Sequence, residues 1–168
     1  MSSDLHRKTA ILYLSKYGTT EKIVGFIADK LKETNDVALF SLKKFPNPDI
    51  SGFETVILGA PVYAGQVSKS MNAFCKANEA VLLQKKIGLF VCGMEPNKEK
   101  QEKELTDAYP EALRENAVAI GFLGGAFLWE QMNFVERMII KKIAKVTTSV
   151  QQIDNEAIDS FVEKMKSL

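Results

Sequence analysis

Five short runs of almost uninterrupted apolar residues recur along this chain, and stretches with helical spacing separate them. The runs are Thr9–Leu14, Val37–Leu42, Thr55–Leu58, Ile87–Cys92 and Val118–Leu123. A strand that is apolar on both faces has to be covered on both faces, which is the condition of a parallel sheet held between helices. After the first run, Ile23, Val24, Ile27, Ala28 and Leu31 share one side of a helix over Thr20–Glu33, with Lys22, Asp29, Lys30 and Lys32 outside. Ser68–Asn78 groups Met71, Phe74 and Cys75 on one face, and the charged segment Asn97–Asp107 reads as a solvated helix. Two more helices are expected over about Glu130–Val146 and Asp154–Lys166, with Thr147-Thr148-Ser149 as the loop between them. This alternation belongs to the α/β class. Crossovers in such a sheet are right-handed, so the loops leaving the strands' C-terminal ends gather on one rim. Ligands bind there, where the strand order reverses. The loops to examine are therefore Ser15–Thr20, Ala60–Gly65 and Val91–Glu95.

Composition narrows the function. With 168 residues, 46% of them apolar, one domain spanning 1–168 with a sizeable core is expected. The 22 basic and 21 acidic side chains leave a net charge of +1, so nucleic acid is not an expected partner. The two cysteines, Cys75 and Cys92, lie in apolar stretches and form no CxxC pair. No secretory signal follows Arg7 and Lys8, and no run of ~20 apolar residues is present, so a cytoplasmic location is expected. His6 is the only histidine and precedes the first strand, which argues against a Ser-His-Asp or Cys-His catalyst and a histidine-based zinc site. No catalytic side chain and no metal ligand is singled out.

Ser15-Lys16-Tyr17-Gly18-Thr19-Thr20 joins the first strand directly to the first helix. A helix start offers unpaired N–H groups and the positive end of the dipole, both suited to a phosphate. Ser and Thr add hydroxyl donors, and Gly18 lets the backbone turn closely. The segment fits neither GxxxxGK[ST] nor GxGxxG, so a single phosphate ester suits it better than a triphosphate or a dinucleotide. The alternative is that Ser15 and Thr20 only cap the helix.

These residues resemble the flavodoxin pattern. Ile11, Leu12, Tyr13, Ser15, Gly18, Thr20 and Ile27 match it, whereas Val24 stands where Ala is usual. The resemblance follows the whole chain in element order. It implies a flavodoxin-like three-layer sandwich whose five-stranded parallel sheet has the order 2-1-3-4-5, with FMN at its edge. Its phosphate would rest on Ser15, Lys16, Tyr17, Gly18, Thr19 and Thr20. Its ring would lie between Ala60, Pro61, Val62, Tyr63, Ala64, Gly65 and Val91, Cys92, Gly93, Met94. Tyr63 would be the stacking residue, or else an ordinary half-buried loop tyrosine. Gly65 and Gly93 would let backbone groups approach the flavin edge, where they tune its redox states. Lys16 would pair with the phosphate or point to solvent, and Cys92 would be a redox thiol or a buried structural one. The near-neutral charge departs from the strongly acidic electron carriers of the family. Ser15-Lys16 and Ala60-Pro61 also lack the acids that a phosphoacceptor receiver requires.

Past the fifth strand, Gly124-Gly125-Ala126-Phe127-Leu128, Trp129 and Phe134–Lys141 resemble the bacterial flavodoxin-type, menaquinone-dependent protoporphyrinogen oxidases. That resemblance implies an inserted helical segment at about 126–150. It also implies an FMN-dependent oxidoreductase whose partners are a quinone and a porphyrinogen-type small molecule. The alternative is a soluble flavodoxin-type carrier that docks on a redox protein. On a helix, Met132, Val135, Ile139, Ile143 and Val146 make one stripe, expected to dock on the sheet. Phe134 and Met138 lie off it, beside Lys141, Lys142 and Lys145. This face suits a lid or a peripheral contact with the inner face of a membrane. A core helix with a basic solvent face is the other reading.

Overall fold

The computed structural model describes residues 6–127, 129, 132–144 and 150–167. Five strands, β1 (Arg7–Tyr13), β2 (Asn35–Ser41), β3 (Thr55–Pro61), β4 (Lys86–Cys92) and β5 (Ala117–Phe122), form one sheet in the order β2-β1-β3-β4-β5. Every pairing in it is parallel. This is the expected flavodoxin-like α/β architecture.

Alternate residues of each strand enter different cores, as the two-residue period requires. Ile11, Ile57 and Phe90 face α1 (Thr19–Leu31) and α7 (Asn155–Lys166), where Ile23, Ile27, Phe161 and Val162 are buried. Leu12, Leu58, Leu89 and Val91 face the opposite layer. That layer holds α2 (Lys69–Ala77), α3 (Glu79–Leu82), α4 (Lys98–Ala108) and α5 (Glu111–Asn116). Tyr109, between α4 and α5, is buried in it. The Tyr109 hydroxyl lies 2.6 Å from the Phe90 carbonyl and 3.1 Å from that of Leu58, which ties this layer to two neighbouring strands.

The region beyond β5 differs from expectation. A second, two-stranded sheet pairs β6 (Gly124–Phe127) with β7 (Val150–Ile153) antiparallel. It starts where β5 ends: the Asp154 N–H donates to the Leu123 carbonyl at 3.1 Å, and the Gly93 N–H to that of Gly124 at 2.9 Å. Gly124 has φ +80, and a Cβ there would come within 2.2 Å of the Gln152 carbonyl oxygen. Only glycine suits that junction.

Helix α6 (Phe134–Ala144) begins later than the expected Glu130, since Met132 and Asn133 are not helical. A reciprocal cap fixes its start: the Glu136 N–H donates to Asn133 Oδ1 at 2.8 Å and the Asn133 N–H to Glu136 Oε1 at 3.3 Å. Thr147-Thr148-Ser149, Val146 and Lys145 lie outside the described residues, and so does the side chain of Ile143. The expected docking stripe is corrected. Val135 is 63% exposed and Ile139 37%, while Met132 and Ile140 are buried. Met132 before the helix and the 136/140 line of α6 therefore face inward, with Glu136 meeting Lys16. Phe134 and Met138 are exposed, at 76% and 56%.

Candidate functional site

Strand β1 delivers the chain to the rim, and Gly18, at φ 90, turns it into α1. Ser15 Oγ accepts the Gly18 N–H at 3.1 Å and the Glu21 N–H at 3.4 Å, so this serine caps the helix. Thr20 does not. Its side chain is buried and its Oγ1 has no hydrogen-bond partner in the protein. A buried hydroxyl without a partner is costly. Beside the free N–H groups of a helix start, it is placed to donate to an anionic oxygen. The Tyr17 hydroxyl is likewise buried and unpartnered. The two readings of the loop thus separate by residue: Ser15 serves the fold, whereas Thr20 and Tyr17 offer donors to a ligand. These groups fit a phosphate ester such as that of FMN.

The second loop is a tight turn. Tyr63 and Gln66 exchange N–H···O bonds of 3.0 and 2.8 Å, with Ala64 at φ 50 and Gly65 at φ 75. Positive φ at both central positions marks a type I′ turn. Ala64 and Gly65 thus shape the turn without lining the cleft, and they leave Tyr63 at its edge. The Tyr63 ring lies 6.1 Å from that of Tyr17, tilted by 60°.

Between these rings sits Lys16, half-exposed and paired with a carboxylate. Its Nζ is 4.1 Å from the Tyr63 ring centroid, 5.4 Å from that of Tyr17 and 2.9 Å from Glu136 Oε2 on α6. Burial raises the Tyr63 phenol, and the Lys16 charge opposes that rise. Burial also pushes the Glu136 carboxyl upward, but Lys16 and the Asn133 N–H outweigh it and hold the group below its ordinary value.

In the third loop, burial pushes the Cys92 thiol up to about 12, although the neighbouring Thr20 favours the thiolate. It stays protonated at neutral pH and acts as an inert wall. The Gly93 N–H is engaged by Gly124, and a Cβ on Gly125 would come within 2.8 Å of the Gly93 carbonyl oxygen. The two glycines therefore seal β6 against this loop, and the Gly93 N–H is not free to meet a ligand.

Together the three loops enclose a narrow cleft of about 50 Å³. Lys16, Tyr17, Thr19, Thr20, Pro61, Val62, Tyr63, Cys92, Gly93 and Met94 line it. Ala60 and Val91 are buried in β3 and β4, one residue short of the rim. Gly125, Ala126 and Met132 complete the wall and were not expected there. The glycine pair directly after the last strand was their one sequence signal.

Residues 10–154 match the flavodoxin domain family. The chain belongs to that family. Among curated relatives of this flavodoxin domain is the protoporphyrinogen IX dehydrogenase [quinone] of Escherichia coli K12. It is 22% identical over 147 residues, which cover 83% of this chain and 80% of that protein. The protein of the same name from Leishmania major is 24% identical over 146 residues, covering 83% of this chain and 63% of that one. Oxidised Flavodoxin 1 from Bacillus cereus superposes with a TM-score of 0.57 at 18% identity, covering 96% of this chain and 99% of that one. The FMN-bound flavodoxin of Fusobacterium nucleatum gives 0.53 at 17%, covering 95% and 97%. These likenesses are of fold.

Proposed function

We propose that this flavodoxin domain binds FMN in the cleft between Thr20 and Tyr63 and passes hydrogen equivalents from a porphyrinogen-type substrate to a quinone. The observation that carries the reading is the buried, unpartnered hydroxyl of Thr20 at the head of α1. The two relatives named for protoporphyrinogen and quinone support the substrate class. When bound, FMN supplies one- and two-electron transfer that no side chain here provides. The protein's own part is to hold and shield. Thr20 and Tyr17 donate toward the phosphate, Tyr63 offers an aromatic face, and the protonated Cys92 closes the floor without competing for electrons.

A contact with the lipid surface belongs to the same reading. Helix α6 exposes Phe134, Val135, Met138 and Ile139, with Lys141 and Lys142 exposed beside them. Apolar residues flanked by lysines suit an anionic bilayer surface, where quinones dissolve. Among the described residues no helix is long and apolar enough to cross a membrane. The contact proposed is peripheral, on a cytoplasmic face.

The carrier reading, with a redox protein as partner, draws on the near full-length overlap with Flavodoxin 1 of Bacillus cereus. A net charge of +1 gives little long-range steering toward such a partner, which favours the enzyme. Anaerobic incubation of the FMN-loaded protein with protoporphyrinogen IX, with and without a menaquinone analogue, decides between them. Quinone-dependent growth of porphyrin fluorescence is expected. A protein that exchanges electrons with a flavodoxin reductase but forms no porphyrin would be a carrier.

A further inference from the structure

Among its described side chains, α6 has little apolar burial. Of its described apolar side chains only Ile140 is buried, and Phe134, Val135, Met138 and Ile139 face outward. Arg137 Nε donates to the Trp129 carbonyl at 2.9 Å, and Glu136 ties the helix to the cleft. One carboxylate oxygen accepts the Asn133 N–H, and the other lies 2.9 Å from Lys16 Nζ. Its backbone carbonyl accepts a long hydrogen bond of 3.5 Å from the Tyr63 hydroxyl. The Glu136 side chain is 14% exposed and that of Lys16 48%, so the ion pair is sheltered on one side and open to solvent on the other. The two partners come from different loops and touch each other: Lys16 from the loop after β1, Tyr63 from the turn after β3. Met132, one residue before the cap, then forms part of the cleft wall. The enclosed space of about 50 Å³ is well below the ~300–1,000 Å³ typical of pockets that hold a ligand of several rings.

We infer that Lys16, Tyr63 and Glu136 form a clasp that holds α6 as a lid over the cleft and gates passage of the flavin ring. The inference rests on the FMN reading for the identity of what passes, but the clasp itself is a property of this chain. For a ring to enter or leave, Met132 must withdraw, and it withdraws with the start of α6. That movement separates Glu136 from both partners. The clasp thus sets a barrier to exchange in both directions, and it contributes less to the equilibrium between free and bound flavin.

The test is the rate of FMN release from the holoprotein on dilution, and of uptake on remixing, both read by flavin fluorescence. Glu136→Gln keeps the reciprocal cap, which glutamine also makes, and removes only the charge toward Lys16. Release and uptake should both quicken about fivefold, the rate equivalent of one partly buried ion pair, with the ratio changing by less than about twofold. Lys16→Gln should quicken release similarly, and the double variant should be no faster than Glu136→Gln alone, because both substitutions break one interaction. Unchanged exchange rates in a folded Glu136→Gln protein would overturn the clasp, as would single effects that simply add. If the wild-type protein takes up no flavin, the FMN reading fails and the clasp is read from trypsin. Cleavage after Lys141 and Lys142 should then be several times faster in Glu136→Gln, and equal rates would overturn it.

Discussion

Thr20 joins a buried position to an unused hydroxyl, and this combination is what a phosphate oxygen would satisfy. Thr20→Val keeps the shape and removes the donor. FMN affinity should fall by ~1–3 kcal/mol, while the melting temperature shifts little, since the Cys92 sulfur beside the hydroxyl is only a weak hydrogen-bond partner. Titration of FMN against both proteins, with a thermal melt of each, checks this; equal dissociation constants would leave Thr20 as a packing residue. Glu104 gives a second test at this scale. Its Oε2 is buried without a partner, and burial, then the charges of Glu95 and Asp107, push its carboxyl from 4.5 up to about 7. Between these values the folded chain keeps a proton that the unfolded chain has lost. Stability therefore falls as pH rises through this window and levels off above it. Glu104→Gln should flatten that slope. At pH 8 it should gain about 1 kcal/mol, after allowance for solvent screening of a partly buried group, or roughly 2–4 °C in melting temperature. Parallel melts at pH 5 and 8 would show it, and an identical pH slope in the variant would contradict it. Thr20 was legible in the sequence because its place after a strand and at a helix start is local. The roles of Lys16 and Glu136 were not, because 120 positions of chain separate them and only the closed fold brings them together.

Among the elements, the five strands and the first and last helices were legible from their apolar period alone. The ribbon of β6 and β7 was not. Val150-Gln151-Gln152-Ile153 carries too little apolar pattern to announce a strand, and its pairing is set by Gly124 and Gly125 on the far side of α6. The rotation of α6 departs from its apolar spacing for a related reason. Apolar spacing favoured Val135 and Ile139 as the buried side, but the polar anchor at Glu136 decides the face. This element carries its own prediction. The double change Phe134→Ser and Met138→Ser removes two exposed apolar groups, so the melting temperature should shift by no more than about 2 °C. Co-sedimentation with vesicles rich in anionic lipid should drop sharply. A large fall in melting temperature with vesicle binding retained would show instead that these side chains are packed.

At the scale of the molecule, the strand order reverses direction between β1 and β3, and the loops that follow both strands part around the cleft. Placement of the site is thus a consequence of topology, and its chemistry of a few donors on one rim. The size of that rim, an unpartnered hydroxyl at a helix head facing an aromatic turn, is what ties the account to a flavin that carries one phosphate. Calorimetric titration of the apoprotein with FMN and, in parallel, with riboflavin compares the same ring with and without the phosphate. FMN should bind at least about 100-fold more tightly, the worth of two charge-assisted hydrogen bonds at a helix start. Equal affinity for riboflavin, or no binding of FMN, would contradict the account.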